Sequence, residues 1–201
     1  MTASDFGVLR GLKVLDLTQA LAGPYATMLF ADHGANVIKI ESLKGDLTRG
    51  AGPFFDDDQT KTHGGYFQSL NRNKKSLAVD LKSEEGRNLF LDLVRNADVV
   101  VENFRHGVMD GLGLSYERLK ERNPKLVYAA LRGFGDSRTG ENDYTEWPAF
   151  DIIAQAMGGI MSITGSENGA PTKVGPGVGD IVPGIFLCLL YTSDAADDVE
   201  C

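Results

Sequence analysis

The chain has 201 residues, 42% hydrophobic, 24% charged and 8% aromatic, with 24 Gly and 7 Pro, proportions that exclude collagen-like and low-complexity material. That length suffices for one sizeable core. A formal charge of −8 argues against nucleic acid as a general partner, and Asp194, Asp197, Asp198 and Glu200 supply four of those eight charges. No apolar run approaches the roughly 18 to 20 residues of a membrane span. Met1 to Arg10 lacks the basic and apolar regions of a secretory signal. Cys188 and Cys201 make neither a metal-ligand pattern nor a disulfide framework, which points to a reducing, cytoplasmic setting.

The first 135 residues alternate between strand and helix signals. Leu12 to Thr18 is a short Leu/Val-rich run of the buried-strand kind. Ala22 to His33 has apolar residues at helical spacing, with Pro24 in the first turn and Gly34 just past the end. Asn36 to Glu41 is a second strand, followed from Ser42 to Thr62 by a polar, irregular stretch containing Asp56, Asp57 and Asp58. Lys75 to Asp80 predicts a third strand. Ser83 caps a helix with Glu84 and Glu85 in its first turn and Leu89, Phe90, Leu93 and Val94 as its apolar face.

Asp98 to Phe104 is another buried strand, Ser115 to Arg122 a short helix, and Leu126 to Arg132 a fifth strand. This alternation implies parallel pairing through right-handed crossovers, that is, an α/β fold with a Rossmann-like open parallel sheet and flanking helices. Beyond Gly135 come a polar loop to Pro148, a helix over Phe150 to Ile160 and a Gly-rich loop from Gly165 to Gly179. A last helix is predicted from about Asp180 through Leu190, with faces that nothing downstream covers. Residues 1–190 therefore read as one unit, and 191–201 as an acidic tail foreign to it.

Standard nucleotide signatures are missing: no G-x-G-x-x-G joins a strand to a helix and no G-x-x-x-x-G-K-[ST] occurs. The loop from Gln19 to Pro24 is small enough for a ligand to approach a helix N-terminus, or is a tight turn. No G-x-S-x-G elbow is present, and His33, His63 and His106 lack metal spacing, so no metal site is expected. Arg49, Lys44 and Arg72 to Lys75 form a basic cluster that either holds phosphates or solvates a strand edge. Asn103 and Phe104 end a strand where open α/β sheets bind ligands, and either hydrogen-bond and stack on an adenine or make a plain turn. Asp180, between a Gly-rich loop and an apolar helix, is either an N-cap or a carboxylate nucleophile suited to attacking a thioester.

Seven blocks, Leu12–Pro24, Gly34–Glu41, Gly45–Gly50, Asn71–Asp80, Ala97–Phe104, Phe150–Gly159 and Gly179-Asp180, resemble class III CoA-transferases in consistent order over about residues 8 to 190. That superfamily includes 2-methylacyl-CoA racemases. The resemblance implies a Rossmann-like large domain, a smaller domain, and a homodimer of interlocked chains in a protein about twice this length, so this chain would be an N-terminal fragment. It makes coenzyme A or acyl-CoA the substrate, with a small carboxylic acid as the other partner. It implies that Asp180 carries acyl groups as anhydride and as aspartyl-CoA thioester.

The same resemblance places Leu21 and Ala22 near the pantetheine. Val79, Leu81 and Lys82 would lie on the adenine and ribose side, with Asn103, Phe104 and Arg105 continuing that site and Phe150 and Asp151 near the thioester. Ser42, Gly111 and Pro148 stand where some members have cations on the phosphates, leaving Lys44, Lys74, Lys75 or Arg105 as substitutes. Phe150 stands where racemases need a histidine, which favours transfer over racemisation. A racemase-type isomerase and a non-catalytic CoA-binding module, with Asp180 only a cap, are the alternatives.

Overall fold

A computed structural model of the chain describes residues 7–140 and 142–192. Five strands are formed: β1 (Lys13–Asp16), β2 (Asn36–Glu41), β3 (Lys75–Ala78), β4 (Val99–Glu102) and β5 (Val127–Ala130). They pair in parallel in the order β3-β2-β1-β4-β5, with Leu15 opposite Ile38 on one side and Val100 on the other. The helices are α1 (Ala22–Asp32), α2 (Gly65–Asn71), α3 (Glu84–Val94), α4 (Val108–Gly111), α5 (Tyr116–Arg122), α6 (Asp151–Met157) and α7 (Val178–Thr192).

Strands buried on both faces need apolar residues at consecutive positions, and β4, Val-Val-Val-Glu, is buried throughout. Leu15, Ile40 and Val100 point into a core completed by Phe90, Leu91 and Val94 of α3, Met109 of α4 and Leu119 of α5. Val14, Val37, Val99 and Val101 point the other way, onto Phe30 and Ala31 of α1 and Cys188 of α7. Helices therefore cover both faces of an α/β sheet, as the sequence pattern predicts.

Ser83 caps α3 by accepting the Gly86 N–H. The buried face of that helix differs from the sequence reading. Leu91 packs inside and Leu89 is 46% exposed, so the stripe is rotated about one residue from the expected one. Helices α2 and α4 were not anticipated. Glycines at the start of α2 dilute its signal, although Phe67 and Leu70, three apart, are both buried. Helix α7 starts at Val178, two residues before the predicted start. It rests on α1 through Gly184, where a Cβ would stand 2.8 Å from the Ala22 carbonyl oxygen. Its outer side leaves Val182, Ile185, Phe186 and Leu189 exposed. Most of the acidic tail, residues 193–201, lies outside the described residues.

Candidate active site

In this strand order the connections leave in opposite directions from β1 and β4, and a crevice opens at their carboxyl ends. A cavity of about 320 Å³ occupies that place. The loop after β1 contributes Gln19, Ala20, Leu21 and Ala22, and the loop after β4 contributes Asn103, Phe104 and Arg105. Pro148, Ala149 and Phe150 close one side, and Asp180 reaches in from the first turn of α7. Seven of the residues singled out from sequence thus surround one cavity. Asp151 stands just behind it. Val79, Leu81 and Lys82 follow β3 at the far edge of the sheet and do not line it, and the Val79 side chain is buried in the core.

Two hydrogen bonds lock the loops together. The Asn103 side-chain oxygen accepts the Gln19 N–H at 2.8 Å, and its amide nitrogen donates to the Gln19 carbonyl at 2.7 Å. The next residue, Ala20, has a left-handed φ of 65°, a conformation that costs a residue with a Cβ about 1 kcal/mol. Asn103 therefore spends its side chain on the neighbouring backbone.

Asp180 is half-buried, and among the described residues no hydrogen bond reaches its carboxylate. The capping expected of it falls to Asp151, which accepts the Gly179 N–H at 2.9 Å. Asp151 also accepts from Gln155, at 2.9 Å to each oxygen, and pairs with Lys173 at 3.1 Å. Gly179 fits because a Cβ there would stand 2.8 Å from that of Ala154. Burial opposes ionisation of Asp151, but Gln155, the Gly179 N–H and Lys173 outweigh it and hold its carboxyl below the usual range. Asp180 is shifted the other way. Burial and the Asp151 charge push its carboxyl up, and Lys173 offsets only part of that. Tyr66 lies within electrostatic reach, its phenol raised by burial and by the charges of Asp180 and Asp46.

The basic cluster does not stand free. Arg49 bonds Glu41 through two nitrogens, Arg72 pairs with Asp32, Lys75 bonds Asn36, and Lys74 is buried against Asp16. Residue type could not reveal this, because Asn36, Asp32 and Asp16 lie 39, 40 and 58 residues from their basic partners. Arg105 is the cation at the cavity. The three histidines lie elsewhere, His106 bonding Ser137 and Glu146. Among the described residues no cluster of His, Cys, Asp and Glu is placed to hold a metal, and no helix is long and apolar enough to cross a membrane.

The model of CoA-transferase family III matches residues 9–193. The chain belongs to CoA-transferase family III. It is 56% identical over 180 residues to a succinyl-CoA:mesaconate CoA-transferase of Haloarcula hispanica, covering 90% of this chain and 46% of that protein. It is 44% identical to a formyl-CoA:oxalate CoA-transferase of Streptomyces coelicolor, covering 89% and 42%. A crystal structure of a CAIB/BAIF family protein from Brucella suis superposes with a TM-score of 0.87 at 42% identity, over 95% of this chain and 49% of that one. The chain spans about half the length of the curated relatives it matches. This family III chain carries Asp180 at the edge of its switch-point cavity.

Proposed function

We propose that this chain contributes the coenzyme A cavity and the nucleophile of an enzyme that moves coenzyme A from an acyl-CoA donor to a carboxylic acid. One observation carries the reading: the half-buried Asp180, whose carboxylate accepts no hydrogen bond among the described residues, sits in the first turn of a helix at the switch-point cavity. The dipole of α7 favours the anion there, and its raised basicity makes it a better nucleophile.

Its oxygen attacks the thioester carbonyl, the C–S bond breaks, and coenzyme A leaves as thiolate, giving a mixed anhydride on Asp180. The thiolate then attacks the Asp180 carbonyl, releasing the donor acid and leaving aspartyl-CoA. The acceptor carboxylate attacks that thioester, and the thiolate returns to the acceptor's acyl carbon, restoring the Asp180 carboxylate. No net proton is consumed. Leu21, Ala22 and the Gln19–Asn103 latch shape the thioester end, and Arg105 faces the phosphates. The names of the relatives, which pair succinyl-CoA with mesaconate and formyl-CoA with oxalate, support a dicarboxylic acid as at least one of the two acids exchanged.

The test is intact mass after incubation with succinyl-CoA, oxalyl-CoA or acetyl-CoA, followed by hydroxylamine. A hydroxylamine-sensitive adduct on the Asp180 peptide, absent in Asp180→Asn, is expected. Because Asp180 caps nothing, that variant should lose well under the ~1 kcal/mol a lost cap costs, and should still bind coenzyme A. A folded, CoA-binding protein that forms no adduct with any of the three would remove the nucleophile role from this chain.

A further inference from the structure

Lys74 is, with Lys39, one of the enclosed cations among the described residues that the reaction does not use. Its side chain is 1% exposed, and its Nζ donates to Asp16 Oδ2 at 3.0 Å, the Pro24 carbonyl at 3.0 Å, Thr27 Oγ1 at 2.8 Å and Asn71 Oδ1 at 2.8 Å. Those acceptors belong to the end of β1, the first two turns of α1 and the end of α2. Asp16 in turn accepts from the Thr18 N–H and hydroxyl with its other oxygen, and from the Thr27 hydroxyl at 2.7 Å. The ion pair therefore grips both ends of the β1–α1 connection. That connection is the wall of the cavity, supplying Gln19, Ala20, Leu21 and Ala22.

An ammonium withdrawn from water costs several kcal/mol unless it is fully paired, so a mere filler at this position would be apolar. The bonds instead converge on the two points from which the strained loop is hung. We infer that Lys74 is a positioning residue for acyl-CoA, setting the β1–α1 wall of the cavity without touching the ligand. This rests on the reading of the cavity as a coenzyme A site.

The groups facing Lys74 are Asp16 on β1, Lys39 on β2 and Asp46 beyond it, with the neutral Thr27 and Asn71 from α1 and α2. Lys39 is itself committed to the Thr18 carbonyl at 2.7 Å and to Asp46 at 3.0 Å. Burial, reinforced by the Lys39 charge and opposed by Asp16, brings the Lys74 ammonium down to about 8. Above that pH the clamp holds a neutral amine with fewer donors, and the wall loosens.

The experiment is calorimetric titration of the chain with coenzyme A from pH 7 to 9.5, for wild type, Lys74→Met and Lys74→Arg, with the fold checked by circular dichroism. Lys74→Met should raise Kd at pH 7 about tenfold. Wild type should approach that weaker value as pH rises, and Lys74→Arg, which stays charged, should lack this alkaline loss. Titration of the coenzyme's own thiol is common to all three proteins and cancels in the comparison. If Lys74→Met does not fold, the pH profiles of wild type and Lys74→Arg decide. Equal affinity of wild type and Lys74→Met, or the same alkaline loss in Lys74→Arg, overturns the inference. Folded wild type that binds no coenzyme A at any pH overturns the cavity reading instead.

Discussion

Truncating Asn103 to Ala tests whether the walls of the cavity are held by the latch or by the ligand. The side chain makes two hydrogen bonds to the Gln19 backbone, each worth about 1 kcal/mol net, so about 2 kcal/mol of loop order is at stake. Ala20, next in the chain, stores about 1 kcal/mol of left-handed strain that the latch restrains. Without it the loop relaxes away from the binding geometry. If the competent loop becomes the minor state by 1 to 2 kcal/mol, the apparent Kd for coenzyme A rises by roughly 5- to 30-fold.

The assay is titration with coenzyme A at pH 7, made on Asn103→Ala alone and combined with Ala20→Gly. Glycine removes the strain, so the double variant should recover about fivefold of the lost affinity. A change under twofold in Asn103→Ala would refute the latch. A large loss that Ala20→Gly does not relieve would mean that Asn103 grips the ligand itself.

Two further outcomes follow from the charges under the sheet's carboxyl edge. Glu102 is wholly buried and held by the Arg132 fork, by the Tyr128 hydroxyl at 2.9 Å and by the Phe104 N–H at 2.8 Å. Arg132→Met should cost about 3 to 5 kcal/mol, lowering the melting temperature by on the order of 10 °C, and Glu102→Gln in the same chain should return part of it. Glu41 feels a burial penalty, but Arg49, Ser76 and the Asp46 N–H outweigh it and bring its carboxyl down from 4.5 to about 2. A depressed acid stabilises the fold above its unfolded value. That support, at most about 3 kcal/mol, should be complete above pH 4.5 and be lost as pH falls toward 2. In Glu41→Gln, unfolding followed by circular dichroism should lose this acid limb.

The central strands were legible because a parallel sheet buried on both faces sets consecutive apolar residues in them, Val14 and Leu15 in β1 and Val99 to Val101 in β4. β2 runs from Asn36 to Glu41 as read from sequence. The α3 stripe was legible only to within a residue, since Leu89 and Leu91 are chemically alike and packing alone chooses Leu91. Asn103, Phe104, Asp180 and the Gln19–Pro24 loop were marked by their places in the pattern and Arg105 and Phe150 through resemblance, and the topology explains their meeting: loops that follow β1 and β4 end at one switch point. The roles of Asn103, Asp151 and Lys74 were hidden for a common reason. Each is defined by a partner 28 to 84 residues away: Gln19 for Asn103, Gly179 for Asp151 and Asp16, 58 residues distant, for Lys74. Spacing within a motif carries no trace of such pairs.

The division of labour between Asp151 and Asp180 bears most directly on chemistry. A carboxylate in the first turn of a helix ordinarily folds back onto a free N–H, which stabilises its charge and makes it a poorer nucleophile. Here α6 lends Asp151 for that task, and the N–H of Asp180 itself is taken by the Gly177 carbonyl at 3.1 Å. Lys173 is likewise spent, on Asp151 and on the carbonyls of Val174 and Gly175, so it softens the field at Asp180 without pairing to it. The two carboxyls are consequently driven apart, Asp151 down and Asp180 up. Under the proposed mechanism, these opposed environments suit Asp151 to a fixed structural charge and Asp180 to the reactive role. On that argument the free electron pair at the cavity belongs to Asp180 because its neighbour satisfies the helix.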